Sequence, residues 1–393
     1  MRRNHLQTFF LAIILFLLCL QPLLWAQTDS ASGTNQSWTS TTQQQPVSAT
    51  WNPVRARVSH TESNGRSVDK QSIERVGPDG RYVPYIDVEK ESERVDASTV
   101  RTVERTYGRD VNGQKTLIQV AEEETRTLAG GRQKLVRTIS DPDMNGRLQV
   151  ASREIQDVQE TTPTVRDTKI TILTRSTDGG LVPAVQTEQR EIKRSDQVTE
   201  FRKSTSLVDL NGKWQLSEVK EGVIKEDGKD RIKEERTLRP GTDGTLGLVE
   251  RTVSKESETA PGEKRQTVET YAPDDPGKSG ERNLELSQRV TTVRRTGPEG
   301  KEVTQEQREE RNPAAPTQDL RVTQKTIDIV RIGSGGKSQE NRTIQTLDSN
   351  GSLGVVWVDM GQTTRAPSIQ VDTKKAGSAP PEKAATPPQP KPQ

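Results

Sequence analysis

The chain has 393 residues, of which 29% are charged, 28% are apolar and only 3% are aromatic, so a thick apolar core is excluded. Its 58 basic and 56 acidic residues nearly balance, which excludes the strongly basic surface that attracts nucleic acid. One cysteine and two histidines exclude a disulfide framework and a zinc site built from several of these residues.

Residues 1–26 form a predicted signal peptide. Arg2 and Arg3 precede an unbroken apolar run from Phe9 to Leu20, and the small residue Ala26 follows. The run is shorter than the roughly 20 residues that span a bilayer. We therefore expect cleavage after Ala26, a mature chain without a membrane span, and a periplasmic or extracellular location. An uncleaved anchor is the alternative.

Two polar segments flank the central part of the chain. Residues 27–50 are rich in Ser, Thr and Gln and predict a disordered linker, while residues 366–393 are rich in Pro, Ala and Lys and predict a disordered tail. The repetitive domain is expected between them, over residues 51–365.

A 33-residue repeat dominates this central part. Asn-Gly or Asp-Gly pairs, the strongest short-range hairpin signals, end at Gly80, Gly113, Gly146, Gly179 and Gly212, each 33 residues after the last. Weaker turn signals lie about halfway between them. The repeat unit is thus a hairpin with a half-repeat of 16–17 residues.

The segments between turns favour strands, because they are rich in threonine and β-branched residues, as in Thr168 to Thr174. Tight turns join antiparallel neighbours. We therefore predict an all-β fold, a long repetitive antiparallel meander of about 18 strands. Charged residues on both alternating faces indicate a single-layer or coiled elongated sheet, which strong twist would roll into a tube or superhelix.

An outer-membrane barrel would have a similar number and length of strands. Its lipid-facing positions, however, must be apolar at alternate residues and flanked by aromatic girdles. The high charge and few aromatic residues disfavour this fold.

Few side chains are candidates for a site. We expect no catalytic, cofactor-binding or metal-binding residue, because His60 is the one histidine left after cleavage and the turn aspartates stabilise turns. Exposed aromatic rings suit the stacking of a ligand, and the candidates are Tyr82, Tyr85, Tyr107, Trp214 and Trp357.

Repetition without a unique cluster predicts an exported, non-enzymatic structural or interaction protein, a polar scaffold or surface of the cell envelope or exterior. Its partner would be an envelope polymer or another exported protein. A polysaccharide-binding module is the first alternative, and a hydrolase using carboxylate pairs such as Asp274-Asp275 or Glu309-Glu310 is the weaker one.

The segment Asp143 to Leu148 resembles the D-x-x-G-R-L centre of the YD repeats in RHS-type secreted shells, and this resemblance assigns no site.

Overall fold

A computed structural model describes residues 36–46, 54–77, 79–110, 113–273, 280–297, 301–312, 319–332, 337–348 and 351–365. These residues form one antiparallel sheet and two single 3-10 turns, Ala129–Gly131 and Glu281–Asn283. None of the described segments contains a helix long and apolar enough to cross a bilayer. The strands are β1 (Gln36–Pro46), β2 (Val54–Ser63), β3 (Arg66–Val76), β4 (Tyr82–Arg94), β5 (Thr99–Arg109), β6 (Lys115–Thr127), β7 (Gln133–Pro142), β8 (Leu148–Thr162), β9 (Val165–Arg175), β10 (Leu181–Ser195), β11 (Val198–Val208), β12 (Trp214–Asp227), β13 (Asp230–Pro240), β14 (Leu246–Ala260), β15 (Glu263–Pro273), β16 (Leu284–Thr296), β17 (Lys301–Glu310), β18 (Arg321–Ile332), β19 (Lys337–Leu347) and β20 (Leu353–Arg365).

The sheet closes on itself. Each strand pairs with its neighbours in sequence, and β1 pairs both with β2 and with β20. Because the number of strands is even, the first and the last strand are antiparallel, as a hydrogen-bonded closure of this meander requires. The predicted all-β antiparallel meander is confirmed, with 20 strands where about 18 were expected. The sheet is the rolled form, and closure leaves it no free edge.

Strand β1 corrects the predicted domain boundaries. Gln36–Pro46 lies within residues 27–50, for which we predicted a disordered linker, yet it forms a strand. Pairing on both sides stabilises β1: nine of its residues pair with β2, and nine pair with β20. The predicted signal peptide, residues 1–26, and the predicted tail, residues 366–393, lie outside the described residues.

The turns from odd to even strands share one end of the sheet, here called the turn rim. In the turn after β7, Asp143 Oδ1 accepts hydrogen bonds from the amides of Asn145 at 2.8 Å and Arg147 at 2.9 Å. Asp209 does the same 66 residues later, towards Asn211 at 2.8 Å and Lys213 at 2.9 Å. These backbone hydrogen bonds lower the pKa of both aspartates, so the turns keep ionised carboxylates at neutral pH.

A β-bulge follows the start of successive even strands. The register skips one residue in each of β4, β6, β8, β10 and β12, and the bulged residues recur every 33 positions: Tyr85, Ile118, Ala151, Ala184 and Ser217. Bulges bend a strand and increase its twist. The repeat therefore places a curved site at the same height in successive hairpins, which favours closure.

The outer face can be identified from exposure. We considered the described residues that lie at least four positions from both ends of a strand. When the registers are followed round the sheet, all the exposed side chains in this set lie on the same face. Side chains diverge on a convex surface and crowd on a concave one, so this face is the outer face. The exposed residues are Lys70, Glu122, Lys169, Glu188, Arg190, Arg202, Arg236 and Lys255.

Candidate functional site

The inner face surrounds a polar lumen. Charged side chains lie side by side on it: in the neighbouring strands β6, β7 and β8, Glu123 pairs with Arg137, and Arg137 pairs with Glu154. Elsewhere on the same face, Arg342 donates to Asp328 at 2.7 Å. Barrels of 16–18 strands leave an aqueous channel, and 20 strands spaced about 4.8 Å apart and tilted about 40° give a backbone diameter of roughly 40 Å.

The outer face carries an apolar band at the turn rim, here called the collar. It consists of apolar residues among the first one or two outward-facing positions of the even strands from β4 to β20, together with apolar partners at the ends of odd strands. Its described members are Val76, Tyr82, Pro84, Tyr107, Leu117, Pro142, Leu148, Val150, Leu173, Leu181, Pro183, Val208, Trp214, Leu216, Leu238, Pro240, Leu246, Leu248, Tyr271, Pro273, Leu284, Leu286, Val322, Leu347, Leu353 and Val355.

The collar is shallow and exposed. Leu148 is 49% exposed and Trp214 is 42% exposed. Two outward-facing residues span about four positions, or roughly 10 Å along a tilted strand. Most of the next outward positions are charged or polar, as where Arg251 donates to Glu234 at 3.0 Å and Arg289 to Glu269 at 3.0 Å. Val120 and Val219 also face outwards there. The apolar band of the outer face is therefore confined to this rim, and other outward apolar residues, such as Ile232, are scattered.

The structure brings the predicted stacking residues to this one rim, although onto different strands. Tyr82, Tyr107 and Trp214 belong to the collar, Tyr85 is the bulged residue of β4, and Trp357 lies in β20 with its side chain outside the described residues. Cations cover the three tyrosine rings, with centroid distances of 4.3 Å from Arg55 to Tyr82, 4.7 Å from Arg75 to Tyr85 and 3.9 Å from Lys115 to Tyr107. Ligand stacking stays a prediction.

Sequence reasoning missed the leucines and prolines of the collar. Their signal is the 33-residue spacing, which links Tyr82, Leu148, Leu181 and Trp214, the first outward residues of β4, β8, β10 and β12. Lys115 occupies the corresponding place in β6. The turn rhythm of the sequence thus also marks the collar.

The candidate carboxylate pair that the structure describes, Glu309 and Glu310, does not form an acid-base site. Glu309 and Glu310 are adjacent in β17, so their side chains lie on opposite faces of the sheet. Glu309 contacts Arg289 at 3.4 Å, while Glu310 accepts from Gln288 at 3.0 Å. Asp274 and Asp275 lie outside the described residues. Where the structure describes the chain, no three His, Cys, Asp or Glu side chains converge to hold a metal ion.

An outer-face groove of about 350 Å³ crosses β2 to β4 and reaches β6. Several of its charged side chains neutralise one another or a neighbour: Lys115 contacts Glu89 at 2.7 Å, and Arg109 contacts Asp87 at 2.6 Å. The groove is open and its charges are mixed, which assigns it no ligand.

His60 lies beside Asp69 on the inner face, with Nδ1 and Oδ1 2.5 Å apart. The hydrogen bond to Asp69 raises the pKa of His60, burial opposes this, and the charges of Asp69 and Glu62 add to the rise. Because folding raises this pKa, the protonated pair stabilises the fold fully below the ordinary value of about 6.5, and the contribution is lost as pH rises through the raised pKa.

We therefore expect the urea midpoint of the natural chain to fall between about pH 6 and about pH 9 by more than that of the Asp69→Asn variant. Far-UV circular dichroism during urea titration measures both. An equal pH dependence of the two proteins would show that this pair does not contribute.

Comparison with known proteins shows the fold. No family model matches the chain, and no curated protein matches it. Among solved structures, it resembles the siderophore receptor PirA from Acinetobacter baumannii at a TM-score of 0.50 and 7% identity, covering 86% of this chain and 81% of that one. A mutant of the ferric enterobactin receptor PfeA from Pseudomonas aeruginosa gives 0.50 and 8%, with the same coverage.

These findings correct the functional expectation. We expected an elongated polar scaffold, with a polysaccharide-binding module or a carboxylate hydrolase as alternatives, and this expectation is wrong. The sheet is closed, and the two solved structures compared above, which share its fold, are siderophore receptors. Our argument against an outer-membrane barrel concerned the lipid-facing side chains and did not bear on closure, which this sheet achieves although much of its outer face is charged.

Proposed function

We propose that the chain is a conduit of the cell envelope, which lets polar solutes pass through the lumen of its closed sheet. One observation carries this proposal: an even number of antiparallel strands closes round an inner face on which charged and hydroxyl-bearing side chains lie among apolar ones such as Ile73 and Val88. Two receptors that bind siderophores share the fold, and this supports a role in the passage of solutes.

A polar inner face favours water inside. Burying charges such as those of Glu123 and Arg137 in a dry core would be costly, whereas a water-filled lumen keeps them solvated. Both signs of charge line the lumen, for example in the contact of Lys233 with Glu235 at 2.8 Å. We therefore expect passage to depend on the size of a solute more than on the sign of its charge.

The collar decides how such a conduit meets a membrane. Barrels that span a bilayer carry an outward apolar band about 25 Å tall. The collar is less than half as tall, and many of the outer positions beyond it are charged. The walls of the conduit therefore stand in water. The predicted signal peptide supports a location in the periplasm or outside the cell. A conduit needs no catalytic group, and that the chain is not an enzyme stays a prediction.

Neighbouring residues of β6 offer a matched test of the lumen. Glu122 faces outwards and Glu123 inwards, and the chain cleaved after Ala26 has no other cysteine. We expect a small charged thiol reagent to label both the Glu122→Cys and the Glu123→Cys variant. A maleimide on a long polyethylene glycol should label Glu123→Cys roughly tenfold more slowly, because a lumen of about 40 Å narrowed by side chains hinders its entry.

Reagents of graded size then give the size limit of the lumen. Equal rates for the two variants with the largest reagent would overturn the closed lumen. Failure of the small reagent to reach Glu123→Cys would overturn the conduit, because the lumen would then be filled.

A further inference from the structure

We propose that the collar seats the turn rim in the surface of a lipid bilayer, at the boundary between the headgroups and the acyl chains of one leaflet. This docking surface is separate from the lumen. It stands on the outer face alone and does not depend on what passes through the conduit.

The collar is larger than the apolar patches of ordinary monomers. A circumference of roughly 125 Å and a height of roughly 10 Å give on the order of 1,000 Å². The largest apolar patch on a typical monomer covers about 300–600 Å², and larger patches mark surfaces that contact protein or membrane. The exposed side chains include Leu148, Trp214, Leu246 and Leu353.

The shape of the collar favours lipid over a second copy of the chain. Two barrels side by side would touch along an arc of about four strands, which buries roughly 200 Å² of collar on each. A stable interface buries about 800 Å² per partner. Because collar residues are spread over the strands from β3 to β20, with gaps at β17 and at the closing pair β1 and β2, a fluid that surrounds the whole rim covers them, as lipid does.

The turn tips fit the same depth. Met144 and Leu210 are fully exposed at the second positions of their turns, where they reach a surface before the collar does. Arg147 and Lys213 close the same two turns and suit lipid phosphates. The carboxylates of Asp143 and Asp209 are satisfied by backbone amides, yet their charge keeps the tips out of the hydrocarbon centre.

The apolar collar favours insertion into the bilayer and the charged turn aspartates oppose it, so the rim is expected to insert only to a shallow depth. Peripheral segments bury an apolar face about 5–10 Å into the boundary of a bilayer, which is close to the height of the collar. The rim would therefore rest on one leaflet without crossing it.

Flotation with vesicles of phosphatidylcholine tests the proposal on the chain from Gln27 to Gln393. The natural chain should float with the vesicles, and the Trp214→Glu variant should reduce the floating fraction roughly tenfold, because a charge replaces an apolar ring at the boundary. Leu210→Glu should act in the same direction at a turn tip, where a folding defect is not expected.

Ile232→Glu is the matched control. Ile232 is 42% exposed on the outer face, like Trp214, but lies near the opposite rim. Its variant should float as the natural chain does. Far-UV circular dichroism establishes that all variants are folded.

Three results would overturn the proposal: no flotation of the natural chain, equal losses in Trp214→Glu and Ile232→Glu, or binding that needs anionic lipid and disappears in salt while the variants have no effect. A mass above that of one chain in light scattering, lost in Leu210→Glu, would overturn it too, since copies of the chain would cover the collar. Cysteine labelling of the lumen uses no lipid, so failure of the conduit and failure of the docking surface are distinguishable.

Discussion

Replacing Gly222 with alanine is expected to destabilise the sheet by about 3 kcal/mol, near the upper range for a substitution that overpacks a site. A Cβ at this position would lie 2.0 Å from the carbonyl oxygen of Glu234 and 2.8 Å from Cζ of Phe201. Backbone and ring both occupy the space that a methyl group needs. To accommodate the methyl group, β12 must move away from β13, which breaks backbone hydrogen bonds between the two strands.

Gly108→Ala is the control for this substitution. Gly108 also lies inside a strand and faces the lumen, but its added Cβ would meet Ile118 Cγ2 at 3.4 Å, an ordinary contact. We expect a change of less than about 1 kcal/mol there, because the methyl group fits and alanine restricts the unfolded chain. Urea titration followed by circular dichroism compares the two. Similar midpoints would mean that β11 to β13 do not pack as described.

Removing β1 is expected to abolish the closed sheet. A chain that starts at Val54 lacks the strand between β2 and β20. Those two strands run in the same direction, so they cannot pair in the antiparallel register that the rest of the sheet uses. Both would expose unpaired backbone groups, and exposed edges of this length promote association. We expect the shortened chain to lose its native mass and form large oligomers in size-exclusion chromatography with light scattering.

A chain truncated after Ser368 provides the comparison, because it keeps β20 intact up to Arg365. We expect this truncated chain to have the same oligomeric state as the untruncated chain. A shortened chain that starts at Val54 and elutes in the same way, with an unchanged circular dichroism spectrum, would show that β1 does not close the sheet.

The sequence predicted the hairpins because each turn is determined locally. Gly146 and Gly212 adopt φ angles of 74° and 77°, in the region that Asn-Gly and Asp-Gly turns require. Antiparallel pairing of successive strands then follows from short connections alone. This local information gave the fold class and nearly the number of strands.

Closure could not be predicted in the same way, because it depends on a contact between distant segments. Thr39 pairs with Thr364 across almost the whole chain, and apart from Trp38 and Pro46 the residues of β1 are polar and show no alternating apolar pattern. The collar escaped notice for a different reason. Each even strand from β4 to β20 contributes only one or two apolar outward residues, and the polar and charged outward positions along the rest of the strand mask them in any average over its whole length.

The 33-residue hairpin gives the sheet a unit of growth. Because each repeat supplies one descending and one ascending strand, a duplication or a loss of one repeat leaves the strand count even and the closure antiparallel. Each such event would change the circumference by about one tenth, or roughly 12 Å, and would carry its own turn, bulge and share of the apolar rim. The diameter of the closed sheet can therefore change only in steps of one hairpin, and natural variants of this chain should differ in diameter by whole hairpins.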